Sequence, residues 1–154
     1  MKDAPGEPAA DSPSELKARA LRHLVRREHS RSELARKLAQ HAESPQALEA
    51  LLTELEQRRQ LSDERYAEVR AHHMGRKYGA ARIRQDLKAH GVADALADRV
   101  SSEGDLEKAK AILARKYRDA PLTREETARR MRFLQSRGFS FDTIRSALRV
   151  DETE

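Results

Sequence analysis

Residues 61–92 read LSDERYAEVRAHHMGRKYGAARIRQDLKAHGV, and the order of signals inside them decides the fold class. Ser62 is placed to cap a helix, Asp63 and Glu64 favour the positive end of its dipole, and Leu61 and Tyr66 occupy the two ends of a hydrophobic staple. The helix predicted from there runs through Val69 and His73 to about Tyr78. Gly79 supplies a backbone, left-handed or otherwise permissive, that ends this helix and lets another begin without a loop. In the second helix Ile83 and Leu87 mark the inner side. Gly91 stops it, and Val92, Leu96 and Val100 form a short third helix that ends before Gly104.

The same plan appears on both sides. Toward the N-terminus, Ser12, Pro13 and Glu15 make a helix start, and Leu16, Ala20, Leu21, Leu24 and Val25 recur at helical spacing. Ser30 and Glu33 form a capping box before Leu34 and Leu38, and Ser44-Pro45 opens a third helix through Leu48, Leu51, Leu52 and Leu55. Toward the C-terminus, residues 106–117 carry Leu106, Ala109, Ile112, Leu113 and Tyr117. Thr123 and Glu126 make another box, Met131 and Leu134 lead to Gly138, and Phe139 and Ile144 flank a Ser140 cap.

Aligned, these are three copies of one plan at a period of roughly 45 residues. No copy can bury its own apolar stripe, so the predicted fold is all-α: three tandem three-helix repeats stacked into an elongated, curved, solenoid-like body. The expected divisions are a disordered tail at 1–13, repeats at 14–61, 62–104 and 105–150, and an acidic tail at 151–154. The first copy lacks a glycine matching Gly91 and Gly138.

Composition agrees with thin helical units: 37% of residues are charged and 4% aromatic, too few large apolar groups for one thick core. Cysteine is absent, which excludes disulfides and thiolate metal sites. No apolar run is long enough to span a bilayer and the start does not read as a signal peptide, so a soluble cytoplasmic protein is expected, with no membrane contact. The net charge of +5 conceals a more basic middle. Residues 1–13 carry −2 and residues 151–154 carry −3, which leaves +10 for residues 14–150 and predicts attraction to a polyanion or an acidic protein surface.

The candidate binding residues are Arg70, Arg76, Lys77, Arg82, Arg84 and Lys88 in the second copy, where Asp86 is the one acid between Arg70 and Lys88. In the third copy they are Arg129, Arg130, Arg132 and Arg137. Arg84 and Lys88 share a helix stripe with Arg82 beside it, which predicts a solvated strip opposite Ile83 and Leu87; Arg130 and Arg137 lie two turns apart on one side. Arg76 and Lys77 also sit where cations stabilise a helix C-terminus. Arginine's planar fork suits phosphate or carboxylate. Tyr66, Tyr78, Phe133, Phe139 and Phe141 are read as core or staple residues, not base-stacking platforms. No His pair stands at i, i+4 and no glycine loop cradles phosphate, so no metal, cofactor or catalytic centre is predicted.

Four segments resemble the RecX regulators of the RecA recombinase: ALRHLVRREHSRSELARKL at 20–38, LSDERYA at 61–67, GAARIRQDLKAHG at 79–91 and FLQSRGFSFDTI at 133–144. They occur in the family's order and together span nearly all of residues 16–149. The resemblance implies tandem three-helix repeats. It also implies a non-enzymatic partner of the RecA filament on single-stranded DNA, one that suppresses strand exchange, ATP hydrolysis and coprotease activity in recombination, DNA repair and the SOS response. Weak duplex DNA binding and a monomeric state are further expectations. The alternative left by the residues is a helix-turn-helix protein acting on duplex DNA, against which no dimerisation element is evident.

Overall fold

The structure, a computed structural model, describes residues 9–149. The expectations of a disordered start and an acidic tail therefore fall, at 1–8 and 150–154, outside the described residues. Among the described residues there are nine helices and no strand. They are α1 Pro13–Arg26, α2 Arg31–Leu38, α3 Pro45–Gln57, α4 Asp63–Met74, α5 Ala80–Ala89, α6 Asp94–Ser102, α7 Asp105–Lys116, α8 Arg124–Ser136 and α9 Phe141–Arg149. Taken in threes they are the three predicted repeats. None is long and apolar enough to cross a membrane.

The predicted helix starts hold. Ser12, Ser30, Ser44 and Thr123 accept the N–H of Glu15, Glu33, Ala47 and Glu126. Ser62 accepts from Arg65 and Ser140 from Thr143, each at 3.2 Å. Each cap satisfies one of the four N–H groups that a helix start leaves open, worth about 1 kcal/mol.

The chain forms two compact units. The first runs to Tyr66 and contains the first repeat and the start of α4. Its core is a leucine stripe, Leu16, Leu34, Leu38, Leu51, Leu52, Leu55 and Leu61 with Ala20. At roughly 1.5–3 kcal/mol for each buried leucine side chain, this stripe and not the aromatics holds the unit. Val25, counted into the α1 stripe by spacing, is 86% exposed instead, because nine residues past Leu16 is two and a half turns, the opposite side of the helix. Asp11, placed in the disordered lead-in by its composition, is held here: its N–H donates to the His41 carbonyl at 2.8 Å and its carboxylate accepts Arg19 Nε at 2.7 Å. That hydrogen bond lowers its pKa.

The second unit begins at Ala67 and contains the remainder of α4 with α5 to α9. Ile83, Leu87, Val92, Ala97 and Val100 are buried in the second repeat. Ala109, Ile112, Leu134, Phe139, Ile144 and Ala147 form the core of the third. Helix α4 ends at Met74, a turn short of the expected Tyr78, and Gly75 lies buried where a Cβ would come within 2.9 Å of Lys108 Cε.

Gly79 is required for a different reason from the one its sequence position suggests. Its φ of −92° and ψ of −179° are extended, open to any residue. What excludes a side chain is the third repeat: a Cβ at 79 would stand 2.7 Å from the Phe139 ring and 2.8 Å from the Gly138 carbonyl carbon. The backbones cross here, Gly79 N–H donating to Arg137 O at 2.8 Å and Ala81 N–H to Gly138 O at 3.1 Å. Gly138, at φ +96°, does need the left-handed region, as its helix-ending position predicts.

A second device recurs at the repeat junctions. The Arg31 N–H at the start of α2 donates to the Asp63 carboxylate at 2.7 Å, and the Ala80 N–H at the start of α5 donates to Asp105 at 3.0 Å. Both acids open the first helix of the following repeat. Helix α5 depends on this, since its own N-cap, Gly79, has no side chain. Burial raises the Asp105 pKa above the usual carboxylate value, against the opposing effect of the Ala80 hydrogen bond.

Candidate binding surface

The ten predicted cations do not share one surface. Arg70 is tied to the one acid in its segment: Nε and Nη2 meet the Asp86 carboxylate at 3.0 and 3.1 Å, joining α4 to α5. The sequence counts Asp86 as a minor offset to a positive strip, but here it makes Arg70 a structural brace.

The predicted Arg82, Arg84, Lys88 strip splits in two. Residues two apart on a helix differ by about 200°, so Arg82 faces away from Arg84 and Lys88. Those two turn toward α6, with Arg84 Nε 3.8 Å from Asp98 and Lys88 Nζ 3.8 and 3.5 Å from Asp94 and Asp98. That flank of α5 is a mixed-charge surface.

Arg82 turns the other way, toward the end of α8. Its guanidinium lies 4.9 Å from the Tyr78 ring centroid, and Nη1 donates to Ser136 O at 3.3 Å. Arg137 stands 5.7 Å from the same ring and 5.1 Å from Phe133. Lys116 Nζ sits 3.6 Å over Phe133 and 5.7 Å from Tyr117, which meets Phe133 edge-on. Arg130 lies 4.4 Å over Tyr117 and donates to Asp119 O at 2.7 Å. Cation and ring thus alternate along one band from α5 across α8 to the end of α7. Each such contact is worth about 0.5–1 kcal/mol at an exposed site and fixes a long side chain that would otherwise be free. Arg130 Nε has no hydrogen-bond acceptor; its guanidinium rests on the Tyr117 ring instead.

Near the Arg130 end, Lys116, Arg118, Arg129 and Arg130 line a surface cleft of about 340 Å³ with Asp119 and Glu126. Glu126 is engaged, its carboxylate accepting the Leu122 N–H at 2.7 Å. Arg76, Lys77, Arg129 and Arg132 are exposed. The Arg76 carbonyl accepts from Arg115 Nη2, so a side chain of α7 reaches the backbone just past the end of α4.

The aromatic expectations divide. Tyr66 and Phe139 are buried as predicted, but Phe141 is 61% exposed and Tyr78 and Phe133 are half-buried under cations. Lys116 and Tyr117 are absent from the predicted site. A signal for them was present: Arg-Lys-Tyr occurs at 76–78 and again at 115–117, around the end of the first helix of the second and third repeats. Among the described residues no three His, Asp or Glu side chains stand together as metal ligands.

Three family models match this chain in order. They are the first, second and third three-helix domains of RecX, at residues 17–55, 62–100 and 103–148. The regulatory protein RecX of Herbaspirillum seropedicae is 47% identical over 141 residues, 90% of this chain and 92% of its own. That of Leptothrix cholodnii is 44% identical over 142 residues, 90% of each. Among solved structures, the crystal structure of RecX from Lactobacillus salivarius is similar in fold, with a TM-score of 0.76 at 20% identity over 92% of this chain and 97% of that one.

Proposed function

The chain belongs to the RecX family of regulatory proteins, and from that premise we propose that it binds the RecA filament on single-stranded DNA and restrains it. Strand exchange, ATP hydrolysis and coprotease activity of the filament all fall when it binds, which places it in the cytoplasm, in recombination, DNA repair and the SOS response. The observation that carries the reading is the match to all three family domains in order along the chain. The charge supports it: a body of +10 between acidic ends suits a partner that carries phosphates. Its working parts are the repeats at 14–61, 62–104 and 105–150, acting as a monomer without a cofactor.

The mechanism is one of occupancy. A regulator that adds no chemistry acts through the free energy with which it binds one state of its partner more tightly than another. Purified protein added to RecA on single-stranded DNA is expected to lower ATP hydrolysis and strand exchange at amounts stoichiometric with RecA. Unchanged rates at that ratio would dismiss the proposal.

A further inference from the structure

Arg82, Arg137, Lys116 and Arg130 differ from the other cations in what surrounds them. Among the described residues, none has a carboxylate within ion-pair distance, whereas Arg70, Arg84 and Lys88 each have at least one. Each instead rests on an aromatic ring, and successive cations share a ring. We infer that this band grips the phosphodiester backbone of single-stranded nucleic acid, while the Arg84–Lys88 flank of α5 takes no part in that contact. The inference deepens the function proposed above, from which it takes the presence of a single strand, and it assigns residues to that strand.

Three physical arguments support it. A phosphate brought to Arg84 or Lys88 also meets the carboxylates of Asp94 and Asp98, so like-charge repulsion offsets the attraction; along the band, among the described residues, no carboxylate lies within ion-pair distance of a cation. Asp119 and Glu126 line the cleft at the Arg130 end, where Asp119 offers its carbonyl to Arg130 and Glu126 is bound to the Leu122 N–H. Second, a guanidinium lying over a ring keeps N–H donors at its edge; Arg82 and Arg130 each give one to a backbone carbonyl, and the remaining donors suit phosphate while the outer face suits a base. Third, a row of neighbouring cations on half-buried rings matches a flexible strand that can follow it, as in grooves that track single strands by charge and stacking.

The test uses the full chain and a fluorescent oligodeoxythymidylate without RecA, followed by anisotropy across a salt series. With about 0.7 of log–log salt slope per phosphate contact, four contacts predict a slope near −2.8. Arg82→Gln with Arg137→Gln, and separately Lys116→Gln with Arg130→Gln, are each expected to weaken binding about tenfold or more and to remove about 1.4 from the slope. Arg84→Gln with Lys88→Gln should leave affinity within about twofold of wild type. Charge-preserving Arg82→Lys with Arg137→Lys restores most of the slope, which separates lost contact from lost folding. No binding by wild type, band variants that bind like wild type, an equal loss in the Arg84 and Lys88 variant, or tighter binding to duplex would each overturn the assignment. The regulatory reading is judged separately: a protein that binds the bare strand but leaves RecA activity untouched refutes that reading and not this one, and the converse refutes this one alone.

Discussion

At position 79 one added methyl group has nowhere to go, since it would stand 2.7 Å from the Phe139 ring and 2.8 Å from the Gly138 backbone. At position 104 the same methyl meets nothing within 4 Å, and the only obstacle is a φ of +66°. These are two different kinds of requirement, and they separate on substitution. Gly79→Ala is expected to cost about 1–3 kcal/mol through overpacking, with the third repeat loosened as well as the second. Gly104→Ala should cost roughly 1–2 kcal/mol from backbone conformation alone, and Gly104→Asn less, because Asn tolerates the left-handed region. Urea unfolding of the three variants checks both accounts; a Gly79→Ala protein as stable as wild type would refute the crossing as the reason for Gly79. The sequence marks Gly79 as a break between helices, which it is. It cannot mark the close approach, because Gly138 lies 59 positions further along the chain and only the packed repeats bring the two together. For the same reason Arg70 reads as a free cation until Asp86 is folded against it.

Helices were the most legible level, because their starts and apolar stripes are local. Ser30 with Glu33, Ser44 with Pro45, and Leu34 with Leu38 are all readable within a turn or two. Contacts supplied by the next repeat were not. Asp63 reads as a dipole-stabilising acid on its own helix and Asp105 draws no reading from its neighbours in sequence, yet each also caps the preceding repeat's second helix. The band was missed for a related reason: its rings come from the ends of α4, α7 and α8, and side chains from different helices become neighbours only in the fold. The cap in trans can be tested at Asp105. Its pKa is raised, chiefly by burial, so its contribution is greatest below the unfolded value of 3.8 and is lost as pH rises through the higher folded value. At pH 7 the buried charge is therefore a penalty. Asp105→Asn, which keeps an acceptor for Ala80 and removes the charge, should be neutral or stabilising at pH 7. Asp105→Ala leaves that N–H unsatisfied and should cost about 1 kcal/mol. Matching losses in the two variants by thermal unfolding would contradict the account.

Across the molecule, acid should act unevenly. In the first unit His29 is buried, its Nδ1 bonded to Arg27 O at 3.0 Å and its Nε2 facing Lys37 Nζ at 2.9 Å, with the His23 ring 5.7 Å away. Lysine can only donate, so Nε2 accepts, Nδ1 carries the proton and the ring is neutral. Burial is the largest cause that lowers both histidines, joined by Lys37 and neighbouring arginines and opposed at His29 by the Arg27 carbonyl and Glu33. A lowered folded pKa means that the unfolded state takes up protons first, so stability is complete above about 6.5 and is lost as pH falls through the folded values. Hydrogen exchange, corrected for intrinsic rates, should show α1 and α2 losing protection between pH 7.5 and 5.5 while α5 and α8 hold theirs. His23→Gln with His29→Gln should abolish that difference; uniform loss in both units would reject it. The carboxylates that reach back across repeat boundaries bear also on how the chain is made. Synthesis releases the N-terminus first, so α2 emerges with its opening N–H uncapped until Asp63 follows it out, and α5 waits in the same way for Asp105. Repeat order thus becomes order in time on the ribosome: the first and second repeats are each completed by the first residues of the one that follows.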